Sequence, residues 1–448
     1  GLVNLVSLID QIRAENPGHT LLLDAGDSFQ GTYVSNSTHG EVVMSAMNLA
    51  GYDAWTLGNH EFDWGQDVLR ARIAQAEFPA LAANVVDESS GQVWDAVQPY
   101  IVVQVGDARV AILGLAYPDT PAITKPQNVA GLDFRGAAET AQRYLPEMQQ
   151  QADMIVVLSH LGLDGDQALG RAVDGIDLIV GGHSHTFLDR PMVVNGTLIV
   201  QAGAKGEDLG RLNLTLDTAT GQVSGGEGSQ TLVPVRKVAA PNQEVESLVD
   251  SALAEAAETI NQPIGETEVP LDPRRDGEFA LGNLITDAML AANIDGQPAD
   301  VAFHNNGGIR AGLPKGPITF GQLYAVLPFD NQLLALDLTG AQILDVLEHS
   351  VDGRPGMLQV AGLSYRFRMA RSAGQRVTDV TIGGQPLDPD RVYRVVTIDY
   401  LASGGDGFDT FLEGANPAYG DPVVSVVADY IQSHSPVHPK REGRITQQ

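Results

Sequence analysis

Four apolar runs in the first half of the chain stop at the same kinds of residue. Thr20–Leu23 is followed by Asp24 and Asp27, Ala54–Leu57 by Asn59, His60 and Asp63, Met154–Leu158 by His160, and Leu178–Val180 by His183 and His185. One histidine after a strand is usually structural or solvated, and Asn, Asp and Gly are also what ordinary turns are made of. Four independent segments ending alike argue for one centre, because strand carboxyl ends in open α/β sheets converge on a shared crevice. The donors are imidazole, carboxylate and amide, and the chain has no cysteine. Such a set suits Zn, Mn, Fe or Co without thiolate chemistry. It exceeds what one tetrahedral ion needs, so two divalent ions are expected, bridged by a carboxylate such as Asp27 at roughly 3.5–4 Å. Gly26, Gly58, Gly181 and Gly182 sit beside these donors, where positive φ or close backbone approach lets short side chains reach an ion.

The elements that must carry these residues follow from the hydrophobic pattern. Across 1–235 short apolar runs alternate with helical spacing, which argues for α/β architecture. Leu2–Arg13 and Glu41–Ala50 read as helices, and Ile101–Val105 with Val110–Leu115 as a hairpin pair. Thr197–Gln201 and Leu212–Leu216 continue the sheet, and Met192–Leu216 is expected to be antiparallel because it contains no long helix. Glu244–Ile260 is rich in Ala, Glu and Leu between Pro241 and Pro263, and reads as a boundary or linker helix. Beyond it, helices are expected at Gly282–Ala292 and Gly340–Ser350. Strands are expected at Asp300–Phe303, Leu363–Arg368, Val377–Ile382 and Tyr393–Ile398. No internal repeat or low-complexity tract interrupts the pattern. The expected organisation is a domain over 1–237, a linker helix over 238–262 and a second domain over 263–448.

Composition narrows the partners. At 448 residues two domains are the prior. The formal charge of −29 repels nucleic acid polymers and acidic membranes at long range. An anionic substrate then needs local arginines or metal ions to offset the field. No apolar run approaches the roughly 18 residues of a membrane span. The chain opens on Gly1 with no visible signal peptide, so an upstream segment is expected to have been removed.

The motifs GD (Gly26–Asp27), GNHEFD (Gly58–Asp63), SH (Ser159–His160) and GHSH (Gly182–His185) resemble those of the calcineurin-like metallophosphatases, specifically their 5′-nucleotidase branch. GNLITDA (Gly282–Ala288), NNGGIR (Asn305–Arg310), LPF (Leu327–Phe329) and GGDGF (Gly404–Phe408) resemble that branch's C-terminal domain. The resemblance spans nearly the whole chain, with its motifs in family order. It implies an α/β/β/α sandwich followed by an α+β nucleotide-binding domain. It implies that Asp27 bridges two metals of Zn, Mn or Co type, that Asn59, His160 and His183 complete one site, and that His185 belongs to the other. His60 and Asp63 would be the catalytic dyad, with protonated His60 stabilising phosphoryl or leaving-group charge and Asp63 orienting its ring. Glu61 has no firm role by resemblance and reads as structural.

For substrate binding the resemblance implies Arg275 and Arg310 as anion ligands, with Arg274 a rival for Arg275. Phe329 and Tyr400 would sandwich a base, Asp406 would accept from ribose hydroxyls, and Asn305 would contact the base. Family members often carry Phe where this chain has Tyr400, which keeps the stacking face and adds a hydroxyl. The family's opening Asp-x-His motif has no counterpart, since the chain starts at GLVNLV, and truncation upstream of Gly1 is expected. The implied activity is hydrolysis of nucleoside 5′-monophosphates in an extracellular, periplasmic or cell-surface setting. Alternatives are a 2′,3′-cyclic nucleotide phosphodiesterase/3′-nucleotidase, a UDP-sugar or dinucleotide pyrophosphatase, or a nucleotide-binding protein with an incomplete metal centre.

Overall fold

Met154–Ser159 is buried at all six positions and forms the centre of a six-stranded sheet. In the computed structural model it runs parallel to Ala108–Leu115 on one side and Leu178–Gly181 on the other. Its side chains alternate between two cores, as the two-residue period of a strand requires. Met154, Val156 and Leu158 face one apolar cluster, and Ile155 and Val157 face another. The structure describes residues 1–217, 220, 222–226, 231–236, 240–273, 277–352 and 356–448. It divides into two compact units, Gly1–Gln30 with Val34–Glu255, and Gly31–Tyr33 with Ala256–Gln448.

The first unit is the α/β/β/α sandwich. A second, three-stranded sheet consists of Leu23–Asp24, Ala54–Thr56 and Ala80–Leu81, all parallel. Ala54 and Leu81 of this sheet share a core with Ile112, Val156 and Leu158 of the larger one, so the two sheets pack face to face. Trp55 points the other way, into a cluster with Met44 and Met47 of the helix Glu41–Ala50. On the far face of the larger sheet, the helix Ala137–Gln151 buries Ala141, Leu145 and Met148, which its pitch places on one stripe. Four layers result, with helices covering the outer faces of the two sheets over their parallel central strands, as burial of parallel strands requires.

Three expectations about this unit need correction. The opening strand pairs only at Leu23–Asp24, not across Thr20–Leu23; before it, Leu22 is tied to Asp53 by backbone and side-chain bonds. Met192–Leu216 is not antiparallel throughout. Met192–Val194 and Thr197–Gln201 form a hairpin about Asn195 and Gly196, both at positive φ, and the return arm lies parallel to Leu178–Gly181. Leu212–Leu216 does not extend the sheet. Its leucines at 212, 214 and 216 lie partly buried against the core, and the strand Thr215–Asp217 pairs with Gln222–Ser224 in a separate ladder.

The helix Gln243–Ile260 passes from one unit to the other along the chain. The second unit is built on a five-stranded sheet in the order Leu358–Ala361, Val301–Asn305, Val392–Ile398, Gln332–Thr339, Ala415–Pro422. The helices Ala280–Ala291, Gly340–Ser350 and Val423–His434 bury their apolar stripes in its single core. Gly340–Ser350 starts with a capping box in which Thr339 Oγ1 accepts from Gln342 N–H and Gln342 Oε1 accepts from Thr339 N–H. No helix among the described residues is long and apolar enough to cross a membrane.

Candidate functional site

Asp27, His160 and His183 offer ligand atoms that all lie within 4.8 Å of one another. Each follows the carboxyl end of a strand, one from the small sheet and two from the large one. The His160 Nδ1 faces the Ala25 carbonyl, which only accepts, so Nδ1 carries the proton. Nε2 then points to Asp27 Oδ2 at 3.0 Å and has no partner in hydrogen-bonding geometry. At that distance the two atoms repel unless a proton on Nε2 or a cation lies between them. Burial disfavours charging His160, but the Asp27 carboxylate outweighs it and raises the ring above its ordinary pKa. Burial likewise disfavours charged Asp27, and the His160 and His60 rings outweigh it, holding the carboxyl well below its usual range.

Asn59 joins this group. It is buried, and its Oδ1 has no hydrogen-bond partner. Its neighbour His60 donates its backbone N–H to Asp27 Oδ1 at 2.9 Å. On its other side a Cβ on Gly58 would fall 2.2 Å from that same oxygen, so only glycine lets the loops approach. An orphaned buried acceptor costs about 1–3 kcal/mol, a cost that ligation removes. His183 is pushed down to about 4 by burial and by the charge of His160, leaving it the neutral imidazole a metal ligand must be. The donor set therefore fits a divalent cation. His185 adds to the charge pressure on His183 but is not part of the three-residue group. Asp27, His183 and His185 all have left-handed backbone, with φ of 62°, 69° and 55°.

His60 and Asp63 are brought together by one turn of 3₁₀ helix, His60–Phe62. His60 Nδ1 donates to Asp63 Oδ2 at 2.9 Å, and Asn128 Nδ2 braces the Asp63 backbone carbonyl at 2.8 Å.

Of the residues that position this centre, Glu61 reads as structural in the sequence, while Gln201, Asp166 and Tyr117 are not singled out by it. Glu61 is buried, and its carboxylate accepts the N–H groups of Asp27, Ser28 and Gly58 at 2.8, 2.8 and 2.7 Å. Burial and the Asp27 charge push its pKa up to about 7. Gln201 clasps the GHSH loop, with Oε1 accepting from Ser184 Oγ at 2.9 Å and from Thr186 N–H, and Nε2 donating to Gly182 O at 2.9 Å. Asp166 accepts from Ser159 Oγ at 2.5 Å behind His160, and burial pushes its pKa up to about 7. Tyr117 stacks on the His183 ring with centroids 4.2 Å apart. A glutamine or aspartate reads as solvated in a sequence, and no local signal marks Gln201 or Asp166 as buried.

In the second unit Asn305, Tyr400 and Asp406 converge. Asn305 Nδ2 donates to Asp406 Oδ2 and Tyr400 Oη to Asp406 Oδ1, both at 2.7 Å, while Asn305 Oδ1 is buried without a partner. The Arg310 guanidinium lies 5.8 Å from the Phe329 ring centroid, and its Nη1 donates to Gly307 O at 3.4 Å. A Cβ on Gly308, in the same turn, would sit 2.7 Å from Asn305 Oδ1. Arg275 and its rival Arg274 lie outside the described residues.

A four-layer α/β sandwich with an Asp–Asn–His cluster at its strand ends, beside a His–Asp pair, defines a metallophosphoesterase. Residues 1–187 match the calcineurin-like phosphoesterase family and residues 257–413 the 5′-nucleotidase C-terminal domain. The chain belongs to the 5′-nucleotidase family. It is 32% identical to the snake venom 5′-nucleotidase of Gloydius brevicauda, covering 99% of this chain and 83% of that protein. It is 35% identical to the trifunctional nucleotide phosphoesterase protein YfkN of Bacillus subtilis (strain 168), covering 98% of this chain but only 33% of that protein. The crystal structure of a 5′-nucleotidase precursor from Thermus thermophilus superposes with a TM-score of 0.92 at 36% identity, over 100% of this chain and 93% of that one. Membership makes the chain a phosphoric ester hydrolase of nucleotide esters, and the metallophosphatase family implies divalent metal ions.

Proposed function

We propose that the reaction is removal of the 5′-phosphate from nucleoside monophosphates, with two divalent ions of Zn, Mn or Co type. Asp27, Asn59, His160 and His183 would hold one ion, and Asp27 with His185 would contribute to the other. The observation that carries this reading is the partnerless Asn59 Oδ1 in the same short turn as the His60–Asp63 pair. A neutral ligand oxygen and a proton-bearing imidazole are thereby delivered by adjacent residues. When bound, such ions supply Lewis-acid activation of water and neutralise phosphoryl charge.

The chain's own groups do the rest. Asp63 accepts the His60 Nδ1 proton, which fixes the ring and stabilises it when protonated. Nε2, the nitrogen turned away from Asp63, then donates to a phosphoryl or leaving-group oxygen. Arg310, with Arg275 or Arg274, binds anionic oxygens through a planar fork. Phe329 and Tyr400 stack on the base, Asn305 accepts from it through Oδ1, and Asp406 binds the sugar. We assign the phosphate chemistry to 1–237, the connection to 238–262 and substrate binding to 263–448. The homology to a venom enzyme supports an exported protein, outside the cytoplasm or at the cell surface.

The test is hydrolysis of AMP, cyclic AMP, UDP-glucose and NAD with Mn²⁺, Co²⁺ or Zn²⁺, with nucleosides, nucleotides and phosphate each quantified. AMP is expected to turn over fastest. A preference for the cyclic or pyrophosphate substrates would reassign the ester, and hydrolysis of none of them, with AMP still binding, would leave a nucleotide-binding protein.

A further inference from the structure

Asp406 sits in left-handed backbone at φ 57°, and four hydrogen bonds hold it there. Its N–H donates to Tyr400 Oη at 3.1 Å, and Tyr400 Oη donates back to Asp406 Oδ1 at 2.7 Å. Asn305 Nδ2 donates to Oδ2 at 2.7 Å; a carboxylate only accepts, so the amide nitrogen must face it. His349 Nε2 donates to the Asp406 backbone carbonyl at 3.1 Å. The Tyr400 ring packs against Gly405, where a Cβ would come within 2.5 Å of Cε2. The hydroxyl therefore has little freedom to leave.

Each oxygen of this carboxylate has a protein donor before any ligand arrives. A buried acceptor that depends on a substrate hydroxyl rejects the analogue lacking it, because the acceptor is then left unpaired. Burial is the largest influence on Asp406 and raises its pKa, while the bonds from Tyr400 and Asn305 oppose that rise. An acceptor already satisfied by the protein loses much less when a substrate hydroxyl is missing.

We propose that Tyr400 sets sugar specificity: its hydroxyl, by occupying Asp406 Oδ1, makes the site tolerant of nucleotides that lack one ribose hydroxyl. Deoxyribonucleoside monophosphates are then substrates alongside ribonucleotides. The proposal rests on the reading of Asp406 as the sugar-binding carboxylate.

The experiment compares kcat/KM for AMP, 2′-deoxyAMP and 3′-deoxyAMP in the wild type, Tyr400→Phe and Asp406→Asn. Phenylalanine keeps the ring on Gly405, and asparagine tolerates positive φ. In the wild type, AMP is expected to be preferred less than about 10-fold over either analogue. Tyr400→Phe is expected to raise at least one of these ratios about 5- to 10-fold, the size of one lost hydrogen bond. Ratios that stay level or fall in Tyr400→Phe, while Asp406→Asn raises KM for AMP, overturn the role of Tyr400 alone. Unchanged KM values for all three substrates in Asp406→Asn overturn the sugar reading beneath it.

Discussion

Glu61 Oε2 accepts the backbone N–H of Asp27 at 2.8 Å and, with the same oxygen, that of Gly58 at 2.7 Å. One carboxylate oxygen thus sutures the loop after Leu23–Asp24 to the loop after Ala54–Thr56. The first loop carries the central carboxylate of the cluster, and the second carries Asn59 and the His60–Asp63 pair. Their registry depends on a residue that touches no substrate.

Glu61→Gln tests the suture. A glutamine offers one accepting oxygen where the carboxylate offers two, so at least one buried N–H is left unpaired at about 1–3 kcal/mol. Bound metal, by elemental analysis, and the melting temperature are expected to fall together. Full metal content at an unchanged Tm would show that the loops hold their registry without it.

His60→Asn separates chemistry from ligation. We expect kcat to fall roughly 10²–10⁴-fold with metal content unchanged. If the metal is lost along with the rate, His60 is a ligand and its pairing with Asp63 is secondary.

Asp166 gives a pH signature in stability rather than in rate. Burial raises its folded pKa to about 7 from an ordinary value of 3.8. The folded state therefore holds the proton more tightly than the unfolded chain. The stability this contributes is complete below the unfolded pKa and is lost as pH rises through the folded one. Asp166→Asn is neutral at every pH, so its melting temperature minus that of the wild type should climb between about pH 4 and 7 and level off above. A pH-independent difference would mean that Asp166 is ionised throughout.

Phe329→Ala addresses the base. Stacking on an aromatic face is worth about 1–3 kcal/mol per base, so KM for AMP should rise about 5- to 160-fold. A small aryl phosphate used as comparison substrate should be affected much less. Equal effects on both would remove Phe329 from base recognition.

The ligand cluster was legible because its residue types are unusual directly after buried strands. The structure brings Asp27, His160 and His183 within reach of one ion and Asn59 beside them. Helices at Glu41–Ala50 and Gly340–Ser350 and the strand Thr197–Gln201 were equally readable from their spacing. Strand direction was not, because alternation looks the same in either sense; the Asn195–Gly196 reversal alone makes Thr197–Gln201 parallel to its neighbour. Nor were the partners of the supports, although Glu61 itself reads as structural. Glu61 acts on a partner 34 positions away and Gln201 on one 19 away, and a single sequence carries no trace of such pairings. Tyr400 was read as a stacking face, while its hydroxyl bond to Asp406 depends on the fold of the intervening turn.

The left-handed backbone at Asp27, His183 and His185 has a consequence for how this centre is dissected. Under the proposed ligation, each of these positions must supply both a donor atom and a side chain that tolerates a positive φ. Alanine fails on both counts, so an alanine scan would add a local conformational penalty to every coordination effect it reports. Glycine meets the conformational requirement and carries no side-chain donor. Substitution by glycine at these three positions isolates the donor, and the gap between glycine and alanine variants measures how much of the site's architecture is spent on handedness.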